Sequence, residues 1–363
     1  MRVKSVALNN FRNYSYLYTE FDKGTNILYG DNAQGKTNLL ESIYLSGTCR
    51  SHRGSKDEEM IQFGEEEAHI RVVVRKHGLD HQIDMHIKRK KAKGIAINQI
   101  PIHRASELFG LLNFVMFSPE DLQIIKRGPK ERRRFLDAEL CQLDKSYLHD
   151  ISNYNKILEH RNKLLKDIPF HPELRDTLAV WDMQLAEYGE RIISARNKFL
   201  IQLNQMINGI HKELSGGKED LYVKYEPDVS EGYMEEKLIR NQERDLKFGM
   251  TSVGPHRDDL CFLIHNIDIR KFGSQGQQRS CALSLKLSEI ELVKHATNEI
   301  PVLILDDVLS ELDGSRQNFL LDSIHGVQTI ITCTGLDGFV KNRFEINKIF
   351  KVVNGNVAIE DRL

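Results

Sequence analysis

Two stretches of this chain carry side chains suited to handling phosphate. Gly30-Asp31-Asn32-Ala33-Gln34-Gly35-Lys36-Thr37 fits the pattern GxxxxGK[ST]. Its glycines let the backbone wrap a phosphate, and the N–H groups and following helix start supply positive potential. Lys36 reaches the outer phosphates, and the Thr37 hydroxyl can ligate Mg²⁺. Far along the chain, Pro301-Val302-Leu303-Ile304-Leu305-Asp306-Asp307 is an apolar run ending in two adjacent carboxylates. Alone, such a pair is more often a turn or a helix cap. With a P-loop in the same chain, Asp306 would hold Mg²⁺ through its water shell and Asp307 would orient or deprotonate an attacking water. The combination points to an ATP- and Mg²⁺-dependent hydrolase.

A third stretch, Gly273-Ser274-Gln275-Gly276-Gln277-Gln278-Arg279-Ser280, precedes an amphipathic helix through Leu283, Leu287, Ile290 and Val293. Ser274 and the N–H groups around Gly276 can hold a γ-phosphate by the same helix-terminus physics. An ordinary cap is the plainer reading.

These residues need elements to position them. The P-loop follows the short apolar run Thr25–Tyr29 and precedes a helix over Thr37–Leu45, the strand-loop-helix context that the motif requires. The Asp306 strand is expected beside the P-loop strand. Alternation over Val3–Leu8 and between Ile70 and Ile102, with a turn at Asn98-Gln99, predicts an antiparallel sheet. From Asp144 the period changes to helical, with Leu148, Ile151, Asn155, Leu158 and Leu165 on one stripe, until Pro169 and Pro172 interrupt it. Beyond them Leu178, Trp181, Leu185, Tyr188, Ile192, Ala195, Phe199, Leu203, Met206 and Ile210 mark a long amphipathic helix that ends at Gly216-Gly217. An antiparallel helical hairpin, packed on the sheet domain, is expected. The reading is an α/β fold with residues 1–130 and 218–363 as a discontinuous head and 131–217 as an inserted helical domain.

The chain has 363 residues, with 51 Lys+Arg against 52 Asp+Glu and a net charge of −1, which excludes a globally basic nucleic-acid wrapper. No apolar run approaches the ~18 residues of a membrane helix, and the first residues lack the apolar segment of a secretory signal. A cytoplasmic location is expected, and no membrane partner. Five widely spaced cysteines without a CxxC pair fit reduced, buried thiols. Local charge is concentrated in Lys88-Arg89-Lys90-Lys91-Ala92-Lys93, which reads as a hairpin tip, and in Lys126-Arg127 through Lys130 to Arg132-Arg133-Arg134. Both can neutralise DNA phosphates, although part of the second can pair with Glu131 and Asp137 instead. Without an aromatic cluster for base stacking, backbone recognition with little sequence preference is expected. Arg50-Ser51-His52-Arg53, just after the P-loop helix, can contact nucleotide or DNA, the plainer reading being a cationic helix C-cap.

The order of P-loop, long insertion, Ser-x-Gly-Gln helix, Asp-Asp strand and Ser310-Glu311-Leu312-Asp313 resembles the ATP-binding-cassette heads, including the SMC-like ones, with a mixed or antiparallel β lobe. Within them, Leu8-Asn9-Asn10-Phe11-Arg12-Asn13-Tyr14 and Thr251-Ser252-Val253-Gly254-Pro255-His256-Arg257-Asp258-Asp259 are similar to the RecF family of bacterial recombination-mediator ATPases. The resemblance implies that Ser274, Gly276 and Gln277 act on the nucleotide of a second copy, so that ATP drives a two-fold homodimer. It also implies that Arg12 and Asn13 lie near the nucleotide, that Asn32 and Asn38 flank the phosphates, and that Asp313 belongs to a loop communicating across the dimer. By the same resemblance the dimer would bind DNA at single-strand gaps and duplex junctions. It would act with RecR and RecO to help load RecA in repair, replication restart and the SOS response.

Two positions depart from that pattern. Thr332-Cys333-Thr334 stands where related heads carry a switch histidine, and no cassette glutamine is evident around Phe117-Ser118-Pro119-Glu120-Asp121, Gln123 being the nearest. With Asp rather than Glu at position 307, slow hydrolysis is expected. A transporter cassette and a non-hydrolysing SMC-like structural head are the competing readings.

Overall fold

Two layers of sheet enclose the P-loop helix. The computed structural model describes residues 1–336 and 346–360, and the chain divides into two units, one of Met1–Asp121 with the chain from Glu289 onward, the other of Leu122–Ser288. The second unit thus holds the helical 131–217 stretch together with a small sheet.

In the first unit, β1 (Arg2–Phe11), β2 (Tyr14–Glu20), β4 (Glu67–Lys76), β5 (Leu79–Lys88), β6 (Gly94–Ile97) and β7 (Ile100–Ile102) form an antiparallel sheet in the order β2-β1-β4-β5-β6-β7. Its alternation is that of a one-sided sheet: Ala68, Ile70, Val72 and Val74 are buried while His69 and Arg71 face water. The expected turn at Asn98-Gln99 joins β6 to β7, both residues adopting positive φ.

The other sheet consists of β3 (Thr25–Tyr29), β8 (Phe114–Phe117), β12 (Val302–Asp306), β13 (Thr329–Cys333), β14 (Ile346–Val353) and β15 (Asn356–Glu360). Its order is β15-β14-β3-β13-β12-β8, parallel except for the β14–β15 hairpin. This corrects one expectation: β12, which carries Asp306, does not pair with the P-loop strand β3, because β13 lies between them. Both active ends still open on the same edge, since all three strands run parallel.

α1 (Lys36–Thr48) packs against β4 and β5 of the first sheet and β12 and β13 of the second. Leu39, Leu40, Ile43 and Leu45 are fully buried, each contributing about 2 kcal/mol of transfer free energy. Its buried hydroxyls are satisfied within the helix, Ser46 Oγ donating to the Ser42 carbonyl at 2.8 Å and Thr48 Oγ1 to that of Tyr44 at 2.8 Å. α10 (Gly314–Ser323) completes the unit's helices after β12.

The second unit holds α2 (Leu122–Lys126), α3 (Pro129–Leu143), α4 (Lys145–Asp167), α5 (Leu178–Leu214), α6 (Met234–Arg240), α7 (Gln242–Phe248) and α8 (Ile269–Phe272). A three-stranded sheet, β11-β10-β9, is built from β9 (Leu221–Glu226), β10 (Asp259–Ile264) and β11 (Ile267–Asp268). α9 (Gln275–Thr297) begins here. It is not amphipathic as expected, for every residue from Ser280 to Ile290 is buried.

The α4–α5 hairpin forms where expected; its seam is displaced by about one residue on α4, while on α5 Leu178, Leu185, Ile192, Phe199 and Leu203 are buried as expected. The buried face of α4 is Tyr147, Asp150, Tyr154, Ile157, Arg161 and Leu165, while Leu148, Ile151 and Leu158 are half-buried and Asn155 is exposed. On α5 the seam likewise takes in Asp182, Gly189, Arg196 and His211, leaving Trp181, Tyr188, Ala195, Met206 and Ile210 at its margin. The cause is a set of buried charges. Arg161 Nε meets Asp182 at 2.6 Å, and its Nη1 meets Asp245 and the Thr251 hydroxyl at 2.8 Å. Arg196 bonds Asp258 and the Pro255 carbonyl at 2.7 Å and Asp137 at 2.8 Å. Such groups enter an interior only when their partners come with them. The segment 251–259, whose physical role the sequence alone leaves blank, supplies three of these partners: Thr251, Pro255 and Asp258.

None of the five cysteines is in a disulfide; Cys49 and Cys281 are buried as expected, whereas Cys141, Cys261 and Cys333 are half-buried. Burial pushes the Cys49 thiol up to about 11. Among the described residues, no helix is long and apolar enough to cross a membrane.

Candidate nucleotide site

Gly30 to Gly35 link the end of β3 to the start of α1. Gly35 sits at φ 117, a conformation closed to L side chains, and a Cβ there would fall 2.6 Å from Asn13 Nδ2. Lys36 is buried, and its Nζ donates to the carbonyls of Gly30 at 2.6 Å and Asp31 at 3.0 Å. The ammonium is thus parked on its own loop, at the place where an anion's oxygens would compete for it.

The loop is braced from two sides. From the β1–β2 turn, Asn13 Nδ2 donates to the Gln34 carbonyl at 3.0 Å, and the Tyr14 hydroxyl donates to the Gly35 carbonyl at 3.0 Å. From the β14–β15 turn, Gly355 N donates to the same Gln34 carbonyl at 3.0 Å and Asn354 N to Gln34 Oε1 at 2.6 Å. Asn38 Nδ2 donates to Asn13 Oδ1 at 2.8 Å. Asn13, Gln34, Asn38, Asn354 and Gly355 therefore form one hydrogen-bonded group around the loop, with Tyr14 holding Gly35 beside it.

Thr37 Oγ1 donates to Asp306 Oδ1 at 3.0 Å, joining the two motifs across a sequence separation of 269 residues. Asp306 Oδ1 also accepts the Thr332 hydroxyl at 2.8 Å. Burial raises the Asp306 pKa, the bonds from Thr332 and Thr37 pull it back, and the charges of Asp307 and Glu120 raise it again. Hydroxyl and carboxylate oxygens at this spacing are a hard-donor set of the kind Mg²⁺ takes. Asp307 adopts the left-handed conformation, φ 52, with its N–H held by Thr332 Oγ1 at 2.9 Å. Thr332 was legible only as a missing histidine, and Glu120 only as part of a segment without an evident glutamine. Glu120 follows β8, which pairs in parallel with β12.

Arg12 belongs to a different arrangement. Its Nε and Nη2 pair with the two oxygens of fully buried Glu41 at 2.8 and 2.9 Å, while Nη1 reaches the Glu59 carbonyl and Nη2 the Ser55 hydroxyl, each at 2.6 Å. Burial alone would raise the Glu41 carboxyl, but bonds from Arg12 and Ser51 outweigh it and hold the pKa below its ordinary value. The expected cap at 50–53 is also different: Cys49, at φ 57, closes α1 through its own N–H to the Leu45 carbonyl, and Arg53 Nη1 turns to Asn38 Oδ1 at 3.3 Å.

Asn32 and Ala33 stand in the loop, Ala33 at φ 65. Asp313 caps α10, accepting the Arg316 N–H at 3.0 Å, which lowers its pKa. In the second unit, Ser274 and Gln277 make a reciprocal capping box at the start of α9: Gln277 N donates to Ser274 Oγ at 3.2 Å and Ser274 N to Gln277 Oε1 at 2.9 Å. Gln277 Nε2 also donates to Glu219 at 2.9 Å, and Gly276 lies in the first turn.

The basic clusters are partly consumed. Lys88 pairs with Glu67 at 3.1 Å and Lys93 with Asp57 at 2.8 Å, leaving Lys90 and Lys91 exposed at the tip. Arg132 is buried against Asp259, and Arg133 bonds the Asp258 carbonyl at 2.7 Å. Arg132 and Arg133 are thus tied to Asp259 and Asp258 of the 251–259 segment. Lys126, Arg127 and Lys130 remain exposed.

Known proteins are similar to this chain in sequence and fold. The sequence profile of the RecF/RecN/SMC N-terminal domain matches residues 2–357. A DNA replication and repair protein RecF from Agathobacter rectalis is 62% identical over 99% of this chain and 100% of its own length. Another, from Lachnospira eligens, is 58% identical over 99% and 100%. The solved structure of the recombination mediator protein RecF with ATP, of the RecFOR pathway, superposes with a TM-score of 0.92 at 39% identity, covering 99% of this chain and 97% of that one. The Smc head domain from Pyrococcus furiosus, at 14% identity and a TM-score of 0.56, shares the fold alone. This chain belongs to the RecF family of DNA replication and repair proteins, within the RecF/RecN/SMC group.

Proposed function

We propose that this chain is an ATP-dependent DNA-binding recombination mediator with slow, DNA-stimulated hydrolysis, working in the cytoplasm in repair, replication and the SOS response. The observation that carries the reading is the 3.0 Å contact between Thr37 and Asp306, which unites the P-loop with the carboxylate strand. Lys36 leaves its loop carbonyls for the outer phosphates of ATP, and the braced loop presents its N–H groups with little reorganisation. Thr37 and Asp306 would hold Mg²⁺. Bound there, it would supply charge neutralisation on the β- and γ-phosphates. Asp307 orients or deprotonates the attacking water. Asn13, Asn32 and Asn38 flank the phosphates. Arg12 acts through Glu41 and the loop around Ser55, one step removed from the nucleotide.

Ser274, Gly276 and Gln277 act in trans on the nucleotide of a second copy, so ATP binding and homodimerisation are one equilibrium. Asp313 sits in the loop that reports across the pair. The closed dimer binds DNA backbone at single-strand gaps and duplex junctions through exposed lysines and arginines such as Lys90, Lys91, Lys126, Arg127 and Lys130. RecR and RecO are its partners in loading RecA.

Fluorescence anisotropy with a gapped duplex, with and without ATP and at two salt concentrations, tests this reading. Binding should require ATP, weaken with salt and vanish in Lys36→Ala. Asp307→Asn should bind ATP normally and form a longer-lived dimer. ATP-independent DNA binding would overturn the coupling, and an unchanged dimer lifetime would favour a non-hydrolysing head.

A further inference from the structure

We propose that Glu67, His69 and His86 form a binding site for a divalent transition metal ion of the Zn²⁺ class on the solvent face of the antiparallel sheet. The site follows from strand register. β4 and β5 pair so that His69 stands opposite His86 and Glu67 opposite Lys88. Glu67 and His69 are two residues apart and share one face, the face opposite buried Ala68 and Ile70. The two imidazoles stack with centroids 3.8 Å apart and planes at 23°. His86 Nε2 lies 3.0 Å from Glu67 Oε2, and His69 Nε2 lies 3.8 Å from Glu67 Oε1. One ligand atom from each of the three residues falls within 4.8 Å of the others. Modest side-chain rotation suffices to converge them on one ion.

Two imidazole nitrogens and a carboxylate leave a fourth position for water, the donor set of an open zinc site. Imidazole also selects against Mg²⁺ and Ca²⁺, which take oxygen ligands. Approach from solvent is open: the residue opposite His86 on β6 is Gly94, where even an added Cβ would stand 3.9 Å from His86 Cβ. One cation already competes. Lys88 Nζ lies 3.1 Å from Glu67 Oε2 and must yield when the ion binds. The site is separate from the Thr37–Asp306 oxygens and makes no use of the nucleotide. An ion there would pin β4 to β5 beside the Lys88–Lys93 tip.

The test is titration of the full chain with Co²⁺ in excess Mg²⁺, followed by visible absorption and displacement by Zn²⁺, with calorimetry for affinity. One Co²⁺ per chain should bind, with nitrogen- and oxygen-type bands and no sulfur-to-cobalt transition. His69→Ala and His86→Ala should each lose at least about tenfold to a hundredfold in affinity, the loss that even an outer-shell partner causes. Lys88→Ala should bind more tightly. All three positions lie on the solvent face, and an unaltered unfolding midpoint without metal will show that the variants are folded. Equal Co²⁺ affinity in wild type and both histidine variants, a sulfur band, or no saturable binding by the wild type would each overturn the site.

Discussion

The hydroxyl of Thr332 lies 2.8 Å from Asp306 Oδ1 and, at 2.9 Å, accepts the N–H of Asp307. One buried threonine on β13 therefore fixes both carboxylates at the end of β12, one through its side chain and the other through its backbone. Because β13 separates the P-loop strand from β12, it is the strand best placed to do so.

Replacing that hydroxyl by a methyl group is the sharpest test. Thr332→Val removes a bond that lowers the Asp306 pKa, leaving burial to raise it further. Metal binding needs the ionised carboxylate. The acid limb of Mg²⁺-dependent ATP binding should therefore move to higher pH. Thr332→Ser should keep the wild-type profile. Identical pH profiles for the valine and serine variants would show that the hydroxyl does not matter.

Gly355 offers a test of the bracing. At φ 72, a Cβ on residue 355 would lie 2.3 Å from the Asn13 carbonyl oxygen. Gly355→Ala must displace the turn that donates to Gln34, at a cost of about 1–3 kcal/mol in strain. ATP affinity should fall roughly tenfold or more while Gly64→Ala, at an open turn with nothing within 4 Å, leaves it unchanged. Calorimetry of ATP binding to the two variants checks this.

Arg12→Ala should act on stability before it acts on nucleotide. Its partner Glu41 is fully buried, and breaking such a pair costs about 3 kcal/mol, because a charge is left behind without its cation. The Glu41 pKa is lowered in the folded chain, so its contribution is complete above the ordinary carboxylate range and is lost as pH falls through the folded value. Urea midpoints should drop in Arg12→Ala with or without ATP, and the gap from wild type should narrow on acidification. A deficit seen only with ATP present would return Arg12 to the nucleotide.

Periodicity and local motifs made much of the fold legible. The strand-loop-helix context of the P-loop, the antiparallel run after Ile70 and the hairpin of α4 and α5 all follow from patterns within one segment. What a single segment cannot carry is a partner far away in sequence. Neither Arg161 nor Arg196 belongs to an apolar stripe, and their carboxylate partners Asp245 and Asp258 are 84 and 62 residues off. That is why the buried face of α4 lies about one residue from its apolar stripe, and why that of α5 keeps Leu178, Leu185, Ile192, Phe199 and Leu203 but widens to take in Asp182 and Arg196. Likewise Phe114–Phe117 is too short a run to announce a strand, and Thr332 bears on Asp306 only through the pairing of β12 with β13.

His256 lies in the same 251–259 segment and gives the second unit its own pH dependence. Nε2–H of the ring donates to the Thr251 carbonyl at 3.3 Å, which leaves Nδ1 to accept the Tyr154 hydroxyl at 2.7 Å. Burial lowers its pKa from the ordinary 6.5 to about 4. The unfolded chain therefore binds a proton that the folded chain refuses across that interval, so stability is complete above pH ~6.5 and falls as pH drops toward about 4. A shift of that size is worth about 3 kcal/mol. His256→Gln removes the titrating group, and its urea midpoint should stay flatter than that of wild type between pH 6.5 and about 4, even though it starts lower at neutral pH through the lost ring contacts. Parallel slopes for the two proteins would mean that His256 ionises in the folded chain as freely as in the unfolded one.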